Sequence, residues 1–164
     1  MQHIKIFIEL TRLNKPIGFM LLFWPCAWGL AYGKSFSQFE SNFTYFMFLF
    51  FFGSVLMRSA GCIFNDIIDK DLDKRVSRTK NRPIASGKIS VRNSLIYVFI
   101  LCLLALCILL QFNFLTIALG MGSMIFAFAY PFMKRITYWP QLFLGLTFNW
   151  GLIMAWTAVT NYIS

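Results

Sequence analysis

The sequence predicts an all-α membrane protein, a polytopic bundle of about five transmembrane helices forming a single domain over residues 1–164. Of the 164 residues, 59% are hydrophobic and 13% are charged, which is more apolar than a soluble domain requires. The apolar residues gather into stretches close to the roughly 20 residues that a helix needs to cross a bilayer. Backbone groups in hydrocarbon must find hydrogen-bond partners within their own segment, so these stretches are expected to be helices.

Five stretches are expected to span the membrane. They comprise residues 17–33, 43–64, 94–111, 114–133 and 142–162. The first is the shortest and contains Trp24 and Pro25, so the sequence defines its ends least sharply. The segment before it carries Glu9 among hydrophobic residues. That pattern suits an interfacial segment leading into a retained span better than a cleaved signal peptide.

The basic residues predict the orientation of these spans. Three precede the first span, eight lie between residues 70 and 92, and two follow the fourth span, whereas Lys34 alone lies on the opposite side. Because loops rich in Lys and Arg stay in the cytoplasm, the N-terminus is expected on the cytoplasmic side of a bacterial inner (plasma) membrane, or in the matrix if the protein is mitochondrial. The spans also divide the basic residues, so the net charge of +9 does not indicate a nucleic-acid groove.

Cysteine and histidine chemistry is not indicated. Cys26, Cys62, Cys102 and Cys107 lie in apolar segments without the spacing of metal ligands, and they are expected to be packing residues. His3 is the single histidine and lies near the N-terminus, so the sequence offers no His-based catalytic site.

A cluster of carboxylates at the end of the second span is the strongest functional signal. Asp66, Asp69, Asp71 and Asp73 are four of the six acidic residues and fall within eight positions. Carboxylates repel one another and are costly near hydrocarbon, so a cation or cationic partners should balance them. Hard oxygen ligands without a nearby His or Cys suit Mg²⁺ better than zinc or copper.

Helical geometry predicts how this cluster is arranged. In a continuous helix Asn65, Asp69 and Asp73 lie within about 80° of one another and form one oxygen-bearing face. Asp66 flanks that face. Asp71 points away and is expected to be solvated.

An arginine inside the second span supports this arrangement. Arg58 lies two turns before Asn65 on the same face, and an arginine in a span costs roughly 2.5 to 3.5 kcal/mol on insertion scales. Arg58 is therefore expected to face a polar cavity. The alternative is a solvated loop in which Asp69, Asp71 and Asp73 pair with neighbouring Lys and Arg, but it leaves Arg58 unexplained.

A second polar pair lies at the end of the fourth span. Tyr130 and Lys134 are four residues apart around Pro131, which can kink a helix. Taken alone, Lys134 is equally an ordinary basic anchor at the membrane surface. The predicted topology puts the pair at the same depth as the aspartates, so spans two and four are expected to lie side by side around one cavity.

Longer patterns resemble a known family. The stretch 57–73, continued by residues 78–87, resembles the first signature of the UbiA-type membrane prenyltransferases. The regions 12–18 and 130–135 resemble its 4-hydroxybenzoate polyprenyltransferase branch. The motifs are Asn65-Asp-Ile-Ile-Asp-Lys-Asp-Leu-Asp73, Arg78-Thr-Lys-Asn-Arg-Pro83 with Ser86-Gly87, Arg12-Leu-Asn-Lys-Pro-Ile-Gly18 and Tyr130-Pro-Phe-Met-Lys-Arg135. The match runs through the whole chain and covers the first part of the family's length.

The resemblance implies a nine-helix bundle around a polar cavity, of which this chain corresponds to the first part. It also implies a Mg²⁺-dependent aromatic prenyltransferase of ubiquinone biosynthesis. Such an enzyme transfers a polyprenyl group from polyprenyl diphosphate to 4-hydroxybenzoate, at the ring position next to the hydroxyl. The implied partners are these two substrates, Mg²⁺ and the lipid bilayer.

The resemblance also implies roles for individual residues. The residues implied to bind metal are Asn65, Asp69 and Asp73, with Asp66 as a further member of the signature. The residues implied to be catalytic are Asp69, Asp73 and Lys134. The residues implied to contact substrate are Asn65 and Tyr130 at the diphosphate, Arg58 at an anionic group of either substrate, and Arg78 and Arg82 in the loop over the cytoplasmic mouth.

One part of the family pattern is absent from residues 1–164. Such enzymes carry a second Asp-rich motif after a later span, forming the opposite wall of the site. The chain is therefore expected to be a C-terminally truncated or split prenyltransferase domain, or a fragment of one. The alternatives are a non-catalytic membrane remnant and a half-protein that needs a second chain carrying the other motif. A small cation transporter is disfavoured because the spans show no internal repeat.

Overall fold

The computed structural model of the protein describes residues 2–36 and 42–162, with the backbone alone at residues 2, 3, 134 and 135. Every regular element in these ranges is a helix. The helices are α1 (Gln2–Thr11), α2 (Ile17–Phe36), α3 (Phe43–Ile68), α4 (Lys70–Arg75), α5 (Val91–Leu109), α6 (Phe114–Ile136) and α7 (Pro140–Thr160). The all-helical fold expected from the sequence is confirmed.

Polar side chains mark where the long helices begin. Asn42, Ser90 and Asn113 precede α3, α5 and α6, and each accepts a hydrogen bond from a backbone amide three residues later. Such a cap satisfies one of the amides that the first turn of a helix leaves without a partner. Pro140 starts α7, where its missing amide hydrogen is no loss.

Four helices are long and apolar enough to cross a membrane: Phe43–Ile68, Val91–Leu109, Phe114–Met133 and Pro140–Thr160. The first of the five predicted spans does form a helix, α2, but α2 is not among these four. With 20 residues it is long enough, so hydropathy is what it lacks. Trp24, Pro25, Trp28 and Tyr32 are less apolar than aliphatic residues and keep α2 below the hydropathy of a candidate span.

Helix α2 packs against α3 and most extensively against α7. Glycines make the α2–α7 approach close. A Cβ at Gly29 would collide with the carbonyl oxygen of Leu152, and a Cβ at Gly151 would collide with the Cys26 Sγ. Helix α6 joins the bundle through α7, where the buried hydroxyls of Thr116 and Thr157 lie 3.0 Å apart.

Two apolar cores stabilise the bundle. The first joins α2, α3 and α7, and the second joins α1, α3, α5 and the segment between α4 and α5. The buried members of the first are Phe23, Cys26, Ala27, Leu30, Phe50, Ala155, Ala158 and Val159. Those of the second are Leu10, Ala60, Ile63, Ile84, Val98 and Leu101. Because α3 contributes to both cores, its position in the bundle is fixed from two sides.

Candidate active site

A cavity of about 440 Å³ lies between α2, α3, α5, α6 and α7. It follows one face of α3 from Phe50 to Asn65, which is about 22 Å along a helix that rises 1.5 Å per residue. The residues on that face recur every three or four positions, as a single helical face requires. They are Phe50, Gly53, Ser54, Met57, Arg58, Gly61, Cys62 and Asn65.

The two ends of the cavity differ in chemistry. Arg58 and Asn65 lie on the C-terminal part of α3, where Arg12 and Tyr130 also line the cavity. The N-terminal part of α3 faces apolar side chains. At that end the lining residues are Phe50, Leu109, Phe112, Gly120 and Met154. The cavity therefore suits a molecule with a polar head and an apolar tail.

Asn65 lines the cavity's polar end and contacts Asp69 of the aspartate cluster. The Asn65 Nδ2 donates a hydrogen bond to the Asp69 Oδ2 at 3.2 Å, and Asn65 lines the cavity. Asp69 lies between α3 and α4, and its backbone amide continues the helical pattern by donating to the Asn65 carbonyl at 2.9 Å. These two residues share a helix face, as the sequence predicts.

Asp66 and Asp73 instead face arginines from other segments. The Arg82 Nη1 donates to the Asp66 Oδ1 at 3.1 Å and to the Asp73 Oδ2 at 2.8 Å, and the Arg12 Nη2 donates to the Asp66 Oδ1. That Asp73 joins Asn65 and Asp69 in one wall stays a prediction. Seven residues make nearly two full turns, so Asp73 points within about 20° of Asp66 and shares its arginine. The metal-binding roles of Asp66 and Asp73 stay predictions.

Asp71 is the solvated member of the cluster, as expected from its position on the helix. Its side chain is 83% exposed and accepts a hydrogen bond from the Lys74 Nζ at 3.2 Å. It therefore serves as an internal reference for the three other aspartates.

The segment between α4 and α5, residues 76–90, is called here the covering loop. It packs on the C-terminal end of α3 through Ile84, which is 1% exposed and belongs to the second core. The Thr79 hydroxyl donates to the Asp73 carbonyl at 3.1 Å. Of the two arginines predicted to act in this loop, Arg82 pairs with the aspartates and Arg78 is exposed.

Arg58 is held where α2 and α7 approach α3. Its guanidinium lies over the Phe148 ring, 5.6 Å from the ring centroid, a geometry that attracts a cation to the negative face of an aromatic ring. On the other side, a Cβ at Gly18 would lie 2.9 Å from the Arg58 Nε. Glycine at position 18 therefore makes room for the guanidinium. The expectation that Arg58 faces a cavity is confirmed, since it is one of the lining residues.

Tyr130 lies in α6 and lines the same cavity as Arg58 and Asn65. Helices α3 and α6 are in contact here, with the Phe64 and Phe128 rings 4.8 Å apart between centroids. The predicted adjacency of spans two and four is thus confirmed. Lys134 lies one turn beyond Tyr130 in α6, and its side chain falls outside the part of the chain that the structure describes.

Comparison with known proteins identifies the family. The sequence model of the UbiA prenyltransferase family matches residues 22–164. The chain belongs to the UbiA prenyltransferase family. This confirms the resemblance seen in the sequence motifs.

Several relatives of this UbiA family member are mitochondrial 4-hydroxybenzoate polyprenyltransferases. The protein from Caenorhabditis elegans is 45% identical over 99% of this chain, which covers 45% of that protein. The human protein is 48% identical over 93% of the chain and is covered to 41%. The Arabidopsis thaliana protein is 46% identical over 99% of the chain and is covered to 40%. The chain thus spans less than half the length of these curated relatives.

Solved structures show the same fold. A UbiA homolog from Archaeoglobus fulgidus, bound to DMAPP and Mg²⁺, superposes with a TM-score of 0.75 at 17% identity. The match covers 96% of this chain and 55% of that one. An apo UbiA homolog from Aeropyrum pernix gives 0.74 at 24% identity, with coverage of 88% and 51%. The helices of this chain therefore form about half of a UbiA bundle.

The donor set at the cavity's polar end fits Mg²⁺. Asn65 supplies an amide oxygen and Asp69 a carboxylate, and Mg²⁺ keeps several waters while taking one or two protein carboxylates. Leaving out the side chains that are not described, no three Asp, Glu, His or Cys residues of 2–36 and 42–162 are grouped as a metal cage. Asn65 and Asp69 would thus supply two oxygen ligands to Mg²⁺.

Three residues of the site escaped the sequence analysis as functional candidates. Arg12 adopts φ 55° between α1 and α2 and lines the cavity while it pairs with Asp66. Gly18 and Phe148 hold Arg58 from two sides. Arg12 and Gly18 lie at the two ends of a motif that was recognised in the sequence, but nothing in the motif indicated which residues they touch.

Proposed function

We propose that this chain binds a polyprenyl diphosphate and contributes to the transfer of its prenyl group to 4-hydroxybenzoate. The observation that carries the proposal is the cavity along α3, with Arg58, Asn65 and Tyr130 at one end and apolar side chains along the rest. A prenyl diphosphate has the matching distribution of charge and hydrocarbon. The relatives named above are 4-hydroxybenzoate polyprenyltransferases, which supports the choice of acceptor.

In the proposed complex the diphosphate lies at the polar end of the cavity. Asn65 and Asp69 hold Mg²⁺ there, and the metal supplies the positive charge that makes the diphosphate a better leaving group. Tyr130 and Lys134 approach the same phosphates from α6.

The apolar part of the cavity holds the first isoprene units and keeps water away from the reacting carbon. As the bond between this carbon and the diphosphate oxygen breaks, positive charge develops on the allylic carbons. The ring carbon next to the phenol hydroxyl of 4-hydroxybenzoate attacks that carbon. Loss of the proton from the attacked ring carbon restores aromaticity, and diphosphate leaves.

Arg58 is suited to an anionic group of either substrate. Held between Gly18 and the Phe148 ring, its guanidinium is preorganised, so less side-chain entropy is lost on binding. The carboxylate of 4-hydroxybenzoate is one such group and can accept two parallel hydrogen bonds from a guanidinium. Assigned this way, Arg58 orients the acceptor ring and Phe148 borders it.

We propose that the covering loop faces the cytoplasm, or the matrix in mitochondria, with the Asn65–Asp69 pair at that surface. The four candidate spans make the protein a multi-pass membrane protein. The excess of Lys and Arg between residues 70 and 92 supports this orientation. The relatives named above are mitochondrial proteins, which supports the mitochondrial alternative.

A half-site completed by other helices is the second candidate. The chain covers 40% to 45% of the three relatives described above, and Asn65 and Asp69 provide one carboxylate wall. We propose that helices outside residues 1–164, on the same or a second chain, supply the opposite wall. In this arrangement residues 1–164 bind the diphosphate, and the complete bundle carries out the transfer.

The test is binding of farnesyl thiolodiphosphate, an analogue that resists ionisation, to residues 1–164 in lipid nanodiscs with Mg²⁺. The proposal expects saturable binding that requires Mg²⁺ and that Asp69→Asn weakens. Asp71→Asn is the matched control, because its side chain is exposed and one helical face away. Binding no tighter than that of farnesol, or binding that Mg²⁺ leaves unchanged, would refute the proposal.

A further inference from the structure

Two of the four clustered aspartates, Asp66 and Asp73, form ion pairs with arginines. The Asp66 side chain is 2% exposed, and its Oδ1 accepts from both Arg12 and Arg82, while Asp73 shares Arg82. These residues, Arg12, Asp66, Asp73 and Arg82, are called here the arginine clamp. The clamp joins the α1–α2 turn, the end of α3, α4 and the covering loop.

The charges of the clamp balance, with two carboxylates against two guanidinium groups. A buried carboxylate is tolerated when it is paired, and removing one partner leaves an uncompensated charge. A divalent cation at the Asp66 Oδ1 would stand beside two guanidinium groups that already donate to that oxygen. Electrostatic repulsion therefore disfavours Mg²⁺ at Asp66.

The clamp also fastens both structures that border the polar end of the cavity. Arg12 lines the cavity, so the Asp66 carboxylate holds part of the cavity wall. Arg82 belongs to the covering loop, and its carbonyl accepts from the Ser86 hydroxyl at 2.8 Å. Ile84, two residues after Arg82, packs in the second core. The covering loop is thus held by the buried Ile84 side chain and by the two ion pairs of Arg82.

We propose that Asp66 is a positioning residue, which through Arg12 and Arg82 holds the cavity wall and the covering loop beside the Asn65–Asp69 pair and does not ligate the metal. The inference deepens the proposed function and rests on it, since it takes the ligand of this site to be a diphosphate. It divides one acidic signature into two tasks. Asn65 and Asp69 contact the metal and the diphosphate. Asp66 and Asp73 hold Arg12 in the cavity wall and Arg82 in the covering loop.

The two tasks predict different consequences for the same chemical change. Asp66→Asn loosens the wall and the loop, so analogue affinity at saturating Mg²⁺ falls by about tenfold, as expected for the loss of charged hydrogen bonds. The Mg²⁺ concentration at half-maximal binding stays within about twofold of the wild type, since the ligands of the metal are intact. Asp69→Asn moves this Mg²⁺ midpoint to clearly higher concentration.

The experiment measures both quantities for the whole chain in nanodiscs, with farnesyl thiolodiphosphate as the probe. Amide hydrogen exchange is followed in parallel without the analogue. In Asp66→Asn, residues 76–90 should exchange about tenfold faster, while α7 keeps its wild-type protection. Asp71→Asn is the control and should leave the loop, the affinity and the Mg²⁺ midpoint unchanged.

Three results would overturn the inference. One is wild-type exchange of residues 76–90 in Asp66→Asn. Another is a shift of the Mg²⁺ midpoint in Asp66→Asn as large as in Asp69→Asn, which makes Asp66 a ligand. The third is faster exchange throughout α7 as well, which makes the effect one of global stability.

A second variant tests the same contacts in case Asp66→Asn folds poorly. Arg82→Lys keeps the charge, but an ammonium group does not reproduce the planar fork that reaches two carboxylates. It should show the same faster exchange of the loop with an unchanged Mg²⁺ midpoint, and wild-type exchange would count against the clamp. If the wild-type chain does not bind the analogue, the proposed function fails by itself, and the exchange measurements still decide whether the clamp holds the loop.

Discussion

The guanidinium of Arg58 lies over the ring of Phe148, 5.6 Å from its centroid, at the polar end of the cavity. The two residues are 90 positions apart and belong to α3 and α7. Their contact brings a cation and an aromatic face to a place where an aromatic acid and a diphosphate would meet. Because the Arg58 side chain also depends on space left by Gly18, its position can be altered without changing the arginine itself.

Gly18→Ala should displace the Arg58 guanidinium. The new Cβ would lie 2.9 Å from the Arg58 Nε, so the side chain must move. We expect the affinity for 4-hydroxybenzoate or for the diphosphate analogue to fall by about tenfold, the equivalent of one charge-assisted hydrogen bond. Isothermal titration in nanodiscs measures both. Gly122→Ala is the control, since a Cβ there meets nothing within 4 Å, and an equal loss in that variant would contradict the explanation.

Asp69→Ala should abolish prenyl transfer in a complete bundle, whereas Asp71→Ala should have a mild effect. Loss of the Asp69 carboxylate weakens metal binding and so removes several kcal/mol of charge stabilisation in the transition state. Asp71 is exposed and pairs with Lys74 on the other side of the helix. Transfer from labelled polyprenyl diphosphate in membranes decides between them. An Asp71 variant as inactive as the Asp69 variant would show that the assignment by helix face is wrong.

Phe112→Ala should extend the apolar end of the cavity. The Phe112 ring lines that end and lies 4.7 Å from the Phe50 ring and 5.5 Å from the Phe46 ring between centroids. We expect the variant to favour prenyl analogues one isoprene unit longer by about tenfold relative to the wild type, from the added burial of a few methylene groups. Binding is measured for a series of thiolodiphosphates of increasing length.

Phe114→Ala is the control for this change, because Phe114 is 85% exposed two residues away. It should leave the length preference unchanged. A Phe112→Ala variant with the wild-type length preference would show that the prenyl chain does not reach this end of the cavity.

Asn113→Ala should lower the free energy of unfolding by about 1 to 3 kcal/mol. Asn113 caps α6 by accepting from the Thr116 amide at 2.9 Å, and its Nδ2 donates to the Thr157 carbonyl of α7 at 2.7 Å. Asn149→Ala is the control, since Asn149 donates only within its own helix, to Gly145. Thermal unfolding in detergent gives the comparison, and equal losses in the two variants would argue against the tie between α6 and α7.

Residues 1–164 expressed alone should bind the diphosphate analogue but not form prenylated 4-hydroxybenzoate. One carboxylate wall holds Mg²⁺, but ionisation of the diphosphate requires its charge to be enclosed and water to be excluded. The measurement is complementation of a strain that lacks the enzyme, with expression of the chain verified. Growth on a respiratory substrate together with detectable ubiquinone would show that these residues suffice.

Hydropathy and spacing were enough to predict the helices that bear the site. The spans predicted at 43–64 and 114–133 correspond to α3 and α6, which continue to Ile68 and Ile136. The predicted ends were less accurate because they followed the apolar residues, whereas the helices also include polar turns at the membrane surface. The Ser90 cap begins α5 three residues before the predicted start, and such a cap was readable from the sequence.

Hydropathy and spacing did not predict which aspartates of the cluster pair with arginines. Helical geometry does put Asp66 and Asp73 on nearly the same side, but it does not indicate which arginines they contact. Arg82 lies in the loop 9 residues after Asp73, whereas Arg12 lies 54 residues before Asp66. A single sequence contains no signal for such a contact. The close approach of Gly18 to Arg58 escaped prediction for the same reason.

The close packing of α2 on α7 has a consequence for biogenesis. Helix α2 is synthesised early, yet the helix on which it packs most extensively is α7, which begins only at Pro140. At about 5 to 20 residues per second, roughly 6 to 25 s separate the emergence of the two from the ribosome. During that interval Gly29 and Cys26 lack the backbone that later covers them. A marginally hydrophobic segment in this position depends on the insertion machinery to retain it until α7 arrives, so depletion of insertion factors should affect α2 before any other helix.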